Sequence, residues 1–375
     1  MIDLSYYQQL LKQKKDSNNY RSLNNFEFIS STKIKKNNHI LTSFCSNDYL
    51  GLSFDKSVIK AAKDAISKYG SGAVSSRFIS GNLSLYKILE QDIANYMNCD
   101  DSIIFSSGYN AAIGAIPALV GRNDIIIADK LIHSCLIDAA KLSKAKLLRF
   151  NHNDSNHCKK LLDQNRGNYN KCLIITESVF SMDGDLGKIK ELHKLSDKYN
   201  SLLFIDYAHD IDMNEKFLAD NIVKMGTLSK SIANLGGFIA ANNIIIDYLR
   251  NYSKSLIYST ALCPSILAGS IKALEIIRQN NLQEKLHKNI SLFCSVINKK
   301  YNKSAIIPII VKDSFKALNF SQIIEEKGYL ILAIRPPTVP KNSARLRITI
   351  NANHTKDEII NLAKIINELI LVNLL

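Results

Sequence analysis

Short apolar runs alternate with amphipathic stretches between about residues 41 and 245. Five of these runs have the length and composition of buried strands, and intervening stretches such as 186–199 have helical spacing. The five predicted strands are 102–105, 124–128, 146–150, 172–176 and 201–205. Strands that alternate with helices predict an α/β fold, in which a mostly parallel sheet is covered by helices on both faces.

The pattern changes on either side of this region. After about residue 245 a long helix is predicted at 266–279, and further on a closing helix at 356–372, with strands at 305–311 and 345–350. Before residue 41 the chain is polar, but Leu4, Tyr7, Leu10 and Leu11 have helical spacing. We therefore predict a helical N-terminal segment over 1–40, a large domain over 41–245 and a smaller α+β domain over 246–375.

The composition of the chain excludes several classes of protein. The chain has 375 residues, 46% of them hydrophobic, which suffices for a large core, and no apolar run is long enough to span a bilayer. The seven cysteines contain no Cys-x-x-Cys pair, so neither a metal site nor a disulfide framework is predicted, and we expect a reducing, cytoplasmic setting. The net charge of +14 is spread along the chain. We expect no nucleic-acid partner and, at most, attraction of anionic substrates.

Two residues after the predicted strands could carry chemistry. Asp206 follows the run 201–205, where a buried carboxylate needs a cation. A helix cap or a structural ion pair is the alternative. Lys230 lies 24 residues further on, among small hydroxyl residues and before Gly236 and Gly237. This setting suits an imine-forming amine beside a phosphate, although a solvated surface lysine is the alternative.

Three further features would complete such a site. The segment 106–110 follows a strand and opens a helix, so that its N–H groups could bind a phosphate. His133 could stack on a flat ring, and Arg347, with Arg345, could grip a carboxylate. Each feature has an ordinary structural alternative. The segment 106–110 could be a simple strand-to-helix turn, His133 a structural histidine, and the arginines part of a surface ion pair. Together the features supply every part that a pyridoxal phosphate (PLP) site requires.

The motifs, taken in order, resemble those of the α-oxoamine synthases. These are fold-type I PLP enzymes that join an amino acid to an acyl thioester and release CO₂. The resemblance covers about residues 40–355. It rests on SNDYLGLS (46–53), SGN (80–82), SSGY (106–109), ESVFSMDGD (177–185), DYAH (206–209) and GTLSK (226–230).

The resemblance assigns roles residue by residue. It implies that Lys230 carries PLP as a Schiff base, that Asp206 pairs with the pyridine nitrogen, and that His133 stacks on the ring. His209 would contact the phenolate oxygen. The remaining implied cofactor residues are Gly108, Tyr109, Ser181, Thr227 and Thr260, and Thr260 would reach the phosphate of the neighbouring subunit in a homodimer.

Substrate roles follow in the same way. Arg347 would bind the amino-acid carboxylate, and Arg21, Asn47 and Thr338 are further candidates for substrate contacts. The stretch AIRPPTVP (333–340) most resembles the family member that condenses L-alanine with a pimeloyl thioester in biotin synthesis. Coenzyme A and an acyl carrier protein both stay open as the acyl carrier.

The chain departs from the family pattern at several positions. Tyr207 replaces an acid, Asp210 replaces a serine, Tyr86 stands where a histidine is common, and the connection from Asp206 to Lys230 is shorter. These departures affect the expected substrate range and rate more than the cofactor. Two alternatives stay open: a family member that uses glycine or serine with another acyl group, and a PLP-binding protein without catalytic activity.

Overall fold

A computed structural model describes residues 2–212 and 219–374, with side chains described up to residue 371. The helices are α1 Ser5–Asp16, α2 Lys56–Tyr69, α3 Ser84–Met97, α4 Gly108–Leu119, α5 Ser134–Ser143, α6 Ser155–Asn165, α7 Ile189–Lys198, α8 Asn243–Tyr252, α9 Lys254–Ile257, α10 Pro264–Gln279, α11 Leu282–Val296, α12 Ser314–Glu326 and α13 Lys356–Leu374. The strands are β1 Glu27–Phe28, β2 Lys33–Lys36, β3 His39–Ser43, β4 Asp101–Phe105, β5 Ile125–Asp129, β6 Lys146–Phe150, β7 Cys172–Glu177, β8 Leu202–Asp206, β9 Ile222–Thr227, β10 Gly237–Ala241, β11 Ile306–Lys312, β12 Tyr329–Leu330, β13 Leu332–Ile334 and β14 Ala344–Thr349.

The chain forms two compact units. The first comprises residues 1–49, 182–184 and 284–375, and the second comprises 50–181 and 185–283. Residues 246–283, which the sequence pattern assigned to a small domain, thus group with the second unit. The domain limits drawn from the sequence stay a prediction.

The second unit is built on a seven-stranded sheet in the order β4-β10-β9-β8-β7-β5-β6. Strands β9, β8, β7, β5 and β6 run parallel, and β10 is antiparallel to both of its neighbours. Every residue of β5 and β7 is buried, as expected for strands covered on both faces. The predicted α/β fold with a mostly parallel sheet is confirmed.

Small residues bring helix α4 close to its neighbours. Its buried face is rich in alanine, with Ala111, Ala112 and Ala115 fully inside the core. A Cβ on Gly114 would lie 2.9 Å from the Phe105 ring and 2.3 Å from the Ser255 hydroxyl. The close packing therefore requires glycine at this position, and it allows the helix to pack closely against Phe105 at the end of β4.

One predicted helix begins later than its pattern suggested. The sequence predicts a helix from residue 186, whereas α7 begins at Ile189. Leu186 instead forms a bridge with Val179, and the N–H of Gly187 donates to the Ser178 carbonyl. A Cβ on Gly187 would lie 2.0 Å from the Glu177 carbonyl oxygen, so the chain is held against β7 before the helix starts.

The first unit contains two small sheets, ordered β1-β2-β3-β12 and β11-β14-β13. Strand β14 is buried along its whole length and pairs antiparallel with β11 and β13. Helix α1 is present where the leucine spacing predicted it, but none of its side chains is buried. Within the described ranges, no helix combines the length and the hydropathy needed to cross a membrane.

Candidate active site

Two acids end neighbouring strands of the large sheet. Glu177 ends β7 and Asp206 ends β8, and the two are register partners. Both side chains are buried, at 1% and 5% exposure. Burial raises the pKa of Asp206, and the charge of Lys230 opposes that rise. Burial, reinforced by the charge of Asp206, raises the pKa of Glu177 well above its usual range. Of the two, Asp206 is therefore better placed to carry the negative charge.

Lys230 faces this edge of the sheet from the segment that follows β9. Its Nζ lies 2.8 Å from Nε2 of His209, a buried residue three positions after Asp206. The structure thus brings the amine, the imidazole and the strand-end carboxylate into one region. A lysine amine beside an imidazole can exchange a proton with it.

His133 caps helix α5. Its Nδ1 accepts the backbone N–H of Cys135 at 3.3 Å, so this nitrogen carries no proton. Burial lowers the pKa of His133 and keeps the ring neutral. Its own backbone N–H donates to Oε1 of Glu177. These hydrogen bonds, one from the ring and one from the backbone of His133, fix the position of the imidazole. A ring held in this way suits stacking on a flat cofactor ring.

The turn before helix α4 approaches the end of β9. A Cβ on Gly108 would lie 3.5 Å from Cβ of Thr227, and one on Gly237 would lie 2.5 Å from the Gly108 nitrogen. The hydroxyl of Thr227 is 2.7 Å from that of Ser229. Two hydroxyls therefore lie at the N-terminus of a twelve-residue helix, where N–H groups and the helix dipole favour a phosphate.

The remaining predicted cofactor residues differ in their surroundings. Ser181 is buried, and its N–H donates to Oε2 of Glu177 at 3.3 Å. Tyr109 is half-exposed, and its hydroxyl donates to Asp138 at 2.8 Å. Thr260 is exposed and forms a bridge with Ser76. Its assignment to a neighbouring subunit's phosphate stays a prediction.

In the first unit, Arg347 lies on β14 and is 8% exposed. Its two terminal nitrogens lie 3.4 and 3.5 Å from Oδ1 of Asn47. The same oxygen accepts the hydroxyl of the fully buried Tyr49 at 3.1 Å. Burial raises the pKa of Tyr49, which therefore stays a neutral donor. The structure thus brings together two of the predicted substrate residues, Arg347 and Asn47.

The other two predicted substrate residues also meet. Arg21 Nη2 donates to the Thr338 hydroxyl at 2.7 Å. Both line a cavity of about 200 Å³ together with Arg335, whose guanidinium donates to the Asn18 carbonyl. Burial, reinforced by the charge of Arg21, lowers the pKa of Arg335. This cavity therefore holds two guanidinium groups whose charges repel one another.

Sequence reasoning missed several residues of these sites. Glu177 ends a buried strand just as Asp206 does, and that parallel could have pointed to it. Arg335 lies inside the AIRPPTVP stretch, and Tyr49 lies inside SNDYLGLS, but neither was given a role. His152 lies outside the motifs quoted above, and it stands out only through its contacts with Asp129 and Asp185 in the folded chain.

The sheet order, the strand-end acid and the lysine together define a PLP-dependent enzyme of fold type I. The aminotransferase class I and II family model matches residues 39–366, and the chain belongs to that family. It is 40% identical to the 8-amino-7-oxononanoate synthase of Methylorubrum populi, over 88% of this chain and 85% of that protein.

Solved structures agree with this assignment. A structure of SPT, a serine palmitoyltransferase, with PLP is 25% identical, covers 99% of both chains and has a TM-score of 0.90. An 8-amino-7-oxononanoate synthase from Francisella tularensis is 27% identical, covers 89% of this chain and 99% of that one, and has a TM-score of 0.76. The predicted cofactor and enzyme class are confirmed: the chain is a PLP-dependent acyltransferase of the α-oxoamine synthase kind.

The residues present fit PLP. Lys230 supplies an amine beside His209, and Asp206 supplies a buried carboxylate at a strand end. The hydroxyls of Thr227 and Ser229 lie by the N-terminus of α4. An aldehyde, a pyridine nitrogen and a phosphate thus each find a suitable group within the second unit.

Proposed function

We propose that this enzyme condenses L-alanine with a pimeloyl thioester, with loss of CO₂, to give 8-amino-7-oxononanoate in biotin synthesis. The observation that carries the proposal is the cavity lined by Arg21, Arg335 and Thr338. A pimeloyl chain differs from a simple fatty acyl chain by a carboxylate at its far end. Two guanidinium groups in one cavity suit that carboxylate, and they do not suit an apolar chain end.

The chain's own groups have distinct tasks in this reaction. When bound, PLP would supply an electron sink for the negative charge that develops at the amino-acid Cα. The amine of Lys230 takes the Cα proton, and His209 at 2.8 Å can share that proton. Asp206, a buried carboxylate, would hold a proton on the pyridine nitrogen of bound PLP and so favour the uptake of negative charge by the ring.

Arg347 is proposed to bind the carboxylate of alanine. Its two terminal nitrogens are oriented by Asn47 Oδ1, which in turn is fixed by the Tyr49 hydroxyl. A guanidinium held in this way offers the paired donors that a carboxylate accepts best.

A homodimer is proposed as the working form. Four large apolar side chains of the second unit are exposed near Thr260: Val74 at 94%, Phe78 at 52%, Ile79 at 81% and Tyr258 at 82%. These side chains flank residues 75–76 and 260–261 in the chain, which are joined to each other by backbone contacts. An apolar patch of this kind is typical of an interface between subunits, and it would place Thr260 at that interface.

Steady-state assays test the acyl part of the proposal. Alanine should be condensed with pimeloyl thioester far faster than with heptanoyl thioester, which has the same length but no terminal carboxylate. Arg335→Ala should raise the KM for the pimeloyl donor and leave the KM for the heptanoyl donor unchanged. Equal rates for the two donors in the native enzyme would overturn the proposed acyl specificity.

Further arms of the assay test the amino acid and the carrier. Glycine and serine should react more slowly than alanine, and a preference for either would favour a different α-oxoamine synthase. Turnover with none of the three would favour a protein that binds PLP without catalysis. Coenzyme A and acyl-carrier-protein thioesters, compared side by side, identify the carrier.

A further inference from the structure

Two segments at the carboxyl edge of the large sheet each carry a proposed cofactor residue. One is the turn that runs from Asp129 at the end of β5 to His133. The other, named here the Ser181 hairpin, comprises residues 178–181 and 185–187. It is closed by Phe180 N–H donating to the Asp185 carbonyl at 3.0 Å and by Gly187 N–H donating to the Ser178 carbonyl at 2.9 Å.

Glu177 fastens each segment at its proposed cofactor residue. Its carboxylate accepts the backbone N–H of His133 through Oε1 and that of Ser181 through Oε2. A single side chain thus fixes the two backbones against each other. Asp129 precedes His133 by four residues, and Asp185 follows Ser181 by four residues.

His152 forms a second connection between the segments, from Asp129 to Asp185. Its Nδ1 lies 3.0 Å from Oδ1 of Asp129, and its Nε2 lies 2.8 Å from Oδ2 of Asp185. A carboxylate oxygen only accepts, so both ring nitrogens must donate, and the ring is doubly protonated. The imidazolium is therefore a charged bridge between the two segments.

The surroundings of His152 hold this bridge in one arrangement. Asp129 is fully buried and accepts the N–H groups of Leu131 and Asn153, each at 2.8 Å. The side-chain amide of Asn153 donates to the same Asp185 oxygen at 2.7 Å. The rings of His152 and Phe180 pack edge to face, with their centroids 4.4 Å apart. Both carboxylates are thus oriented by further donors, and the ring is packed as well as bonded.

The charges around the ring favour its protonated form. Burial would lower the pKa of His152, but the hydrogen bonds and charges of Asp129 and Asp185 outweigh it and raise the pKa to about 10. From helix α6, Asp154 and His157 are the nearest titratable groups in sequence; Asp154 caps the helix, and His157 Nδ1 accepts the Asn151 N–H. At neutral pH the bridge therefore stays charged.

We infer that His152 is a positioning residue that, as an imidazolium between Asp129 and Asp185, holds the Ser181 hairpin against the His133 turn and so shapes the PLP site. Glu177 and His152 connect the same two segments through different residues. Replacement of either side chain removes one of these two connections. The inference rests on the assignment of His133 and Ser181 to the cofactor site, and it is independent of the acyl and amino-acid substrates.

The first test is NMR of the purified enzyme labelled with ¹⁵N at histidine. Between pH 7 and 8, His152 should show two slowly exchanging ring N–H protons at low field, assigned by their loss in His152→Gln. Asp185→Asn should move the titration of His152 to lower pH. A single ring proton, or a titration near the usual histidine value, would overturn the inference.

The second test measures PLP affinity by equilibrium dialysis of the enzyme stripped of cofactor. In His152→Gln the side-chain amide can donate to one aspartate but carries no charge. PLP binding should therefore weaken about tenfold, the effect of losing one charge-assisted hydrogen bond. Asp154→Asn is the matched control: it removes an acid two residues away, keeps the helix cap and should leave PLP affinity unchanged.

The outcomes separate positioning from mere support of the fold. If His152→Gln is folded by circular dichroism and binds PLP as tightly as the native enzyme, the inference is wrong. If His152→Gln fails to fold, Asp185→Asn decides, because it keeps the bond between His152 and Asp129. That variant should bind PLP more weakly, and an unchanged affinity would overturn the inference. Neither test uses alanine or an acyl thioester, so a failure of the proposed reaction does not affect them.

Discussion

Cationic side chains in the two units meet different partners. In the second unit, the partly exposed His152 lies between the carboxylates of Asp129 at the end of β5 and Asp185 in the Ser181 hairpin. In the first unit, the buried Arg347 places its guanidinium beside the amide oxygen of Asn47. An amide oxygen orients a cation without neutralising its charge.

The difference matches what each region is proposed to do. Charges that are neutralised by acids of the same chain stiffen a site, which suits a cofactor that stays bound. A guanidinium oriented by neutral groups keeps its charge for an incoming carboxylate. Strand β14 contains both cases, because Arg345, two residues before Arg347, pairs with Asp183 at 2.5 Å.

The largest effect is expected for Lys230, the amine of the cofactor region. Lys230→Ala should lower turnover by about 10⁴-fold, because both the proposed attachment point of PLP and the proposed base for the Cα proton are lost. Borohydride treatment followed by peptide mapping should find PLP on Lys230 in the native enzyme. Lys63→Ala, on the exposed face of α2, is the control. Label on another lysine would contradict the assignment.

Asp206→Asn should have the second-largest effect on turnover. The amide keeps the size and one hydrogen bond but loses the charge that is proposed to hold a proton on the pyridine nitrogen. We expect turnover to fall by about 10²- to 10³-fold, with PLP still bound. Asp197→Asn removes the same charge from the surface of α7 and should have no effect. Near-native turnover of Asp206→Asn would leave this carboxylate with a structural role only.

Substitution of Arg347 tests the first unit, where a neutral amide oxygen orients the cation. Arg347→Ala should weaken alanine binding by about 1.5–3 kcal/mol, followed as the change in cofactor absorbance on titration with alanine. Asn47→Asp should also weaken it, because the new carboxylate would occupy the guanidinium. Arg345→Ala should mainly lower stability. If Asn47→Asp bound alanine as tightly as the native enzyme, the role of a neutral partner would be disproved.

Two histidines should show opposite pH dependence of stability. His354, in the first unit, is stacked on Phe44 with ring centroids 3.8 Å apart, and burial lowers its pKa to about 4. Between that value and the unfolded value of about 6.5, the unfolded chain binds more protons. The stability that neutral His354 provides is therefore complete above pH 6.5 and is lost as the pH falls towards 4.

The expected loss for His354 is about 2 kcal/mol between pH 7 and pH 5, measured by urea unfolding. His354→Phe keeps the stacked ring and should lack this component. For His152 the folded pKa is raised instead, so its stabilisation is present below pH 6.5 and is lost as the pH rises towards 10. Identical pH dependence in native enzyme and His354→Phe would show that His354 does not titrate as described.

Much of the cofactor region could be predicted from the order of residues. Strand periodicity identified the end of β8, and hence Asp206, because strands in a parallel sheet present their carboxyl ends at one edge. The glycine and hydroxyl residues around Lys230 pointed to a phosphate for the same local reason. The late start of α7 was missed, since it depends on the fit of Gly187 against Glu177.

What the sequence by itself determined was therefore local: which runs form strands, where the strands end, and which chemical groups follow them. The pairings were decided by the tertiary structure. Asp129, His152 and Asp185 lie 23 and 33 residues apart in the chain, and nothing in their immediate neighbours links them. They meet because β5 and β6 are adjacent in the sheet and the Ser181 hairpin folds back over the same edge. A charged hydrogen bond acts over about 3 Å, so it depends on the folded distance between groups and not on their separation in sequence.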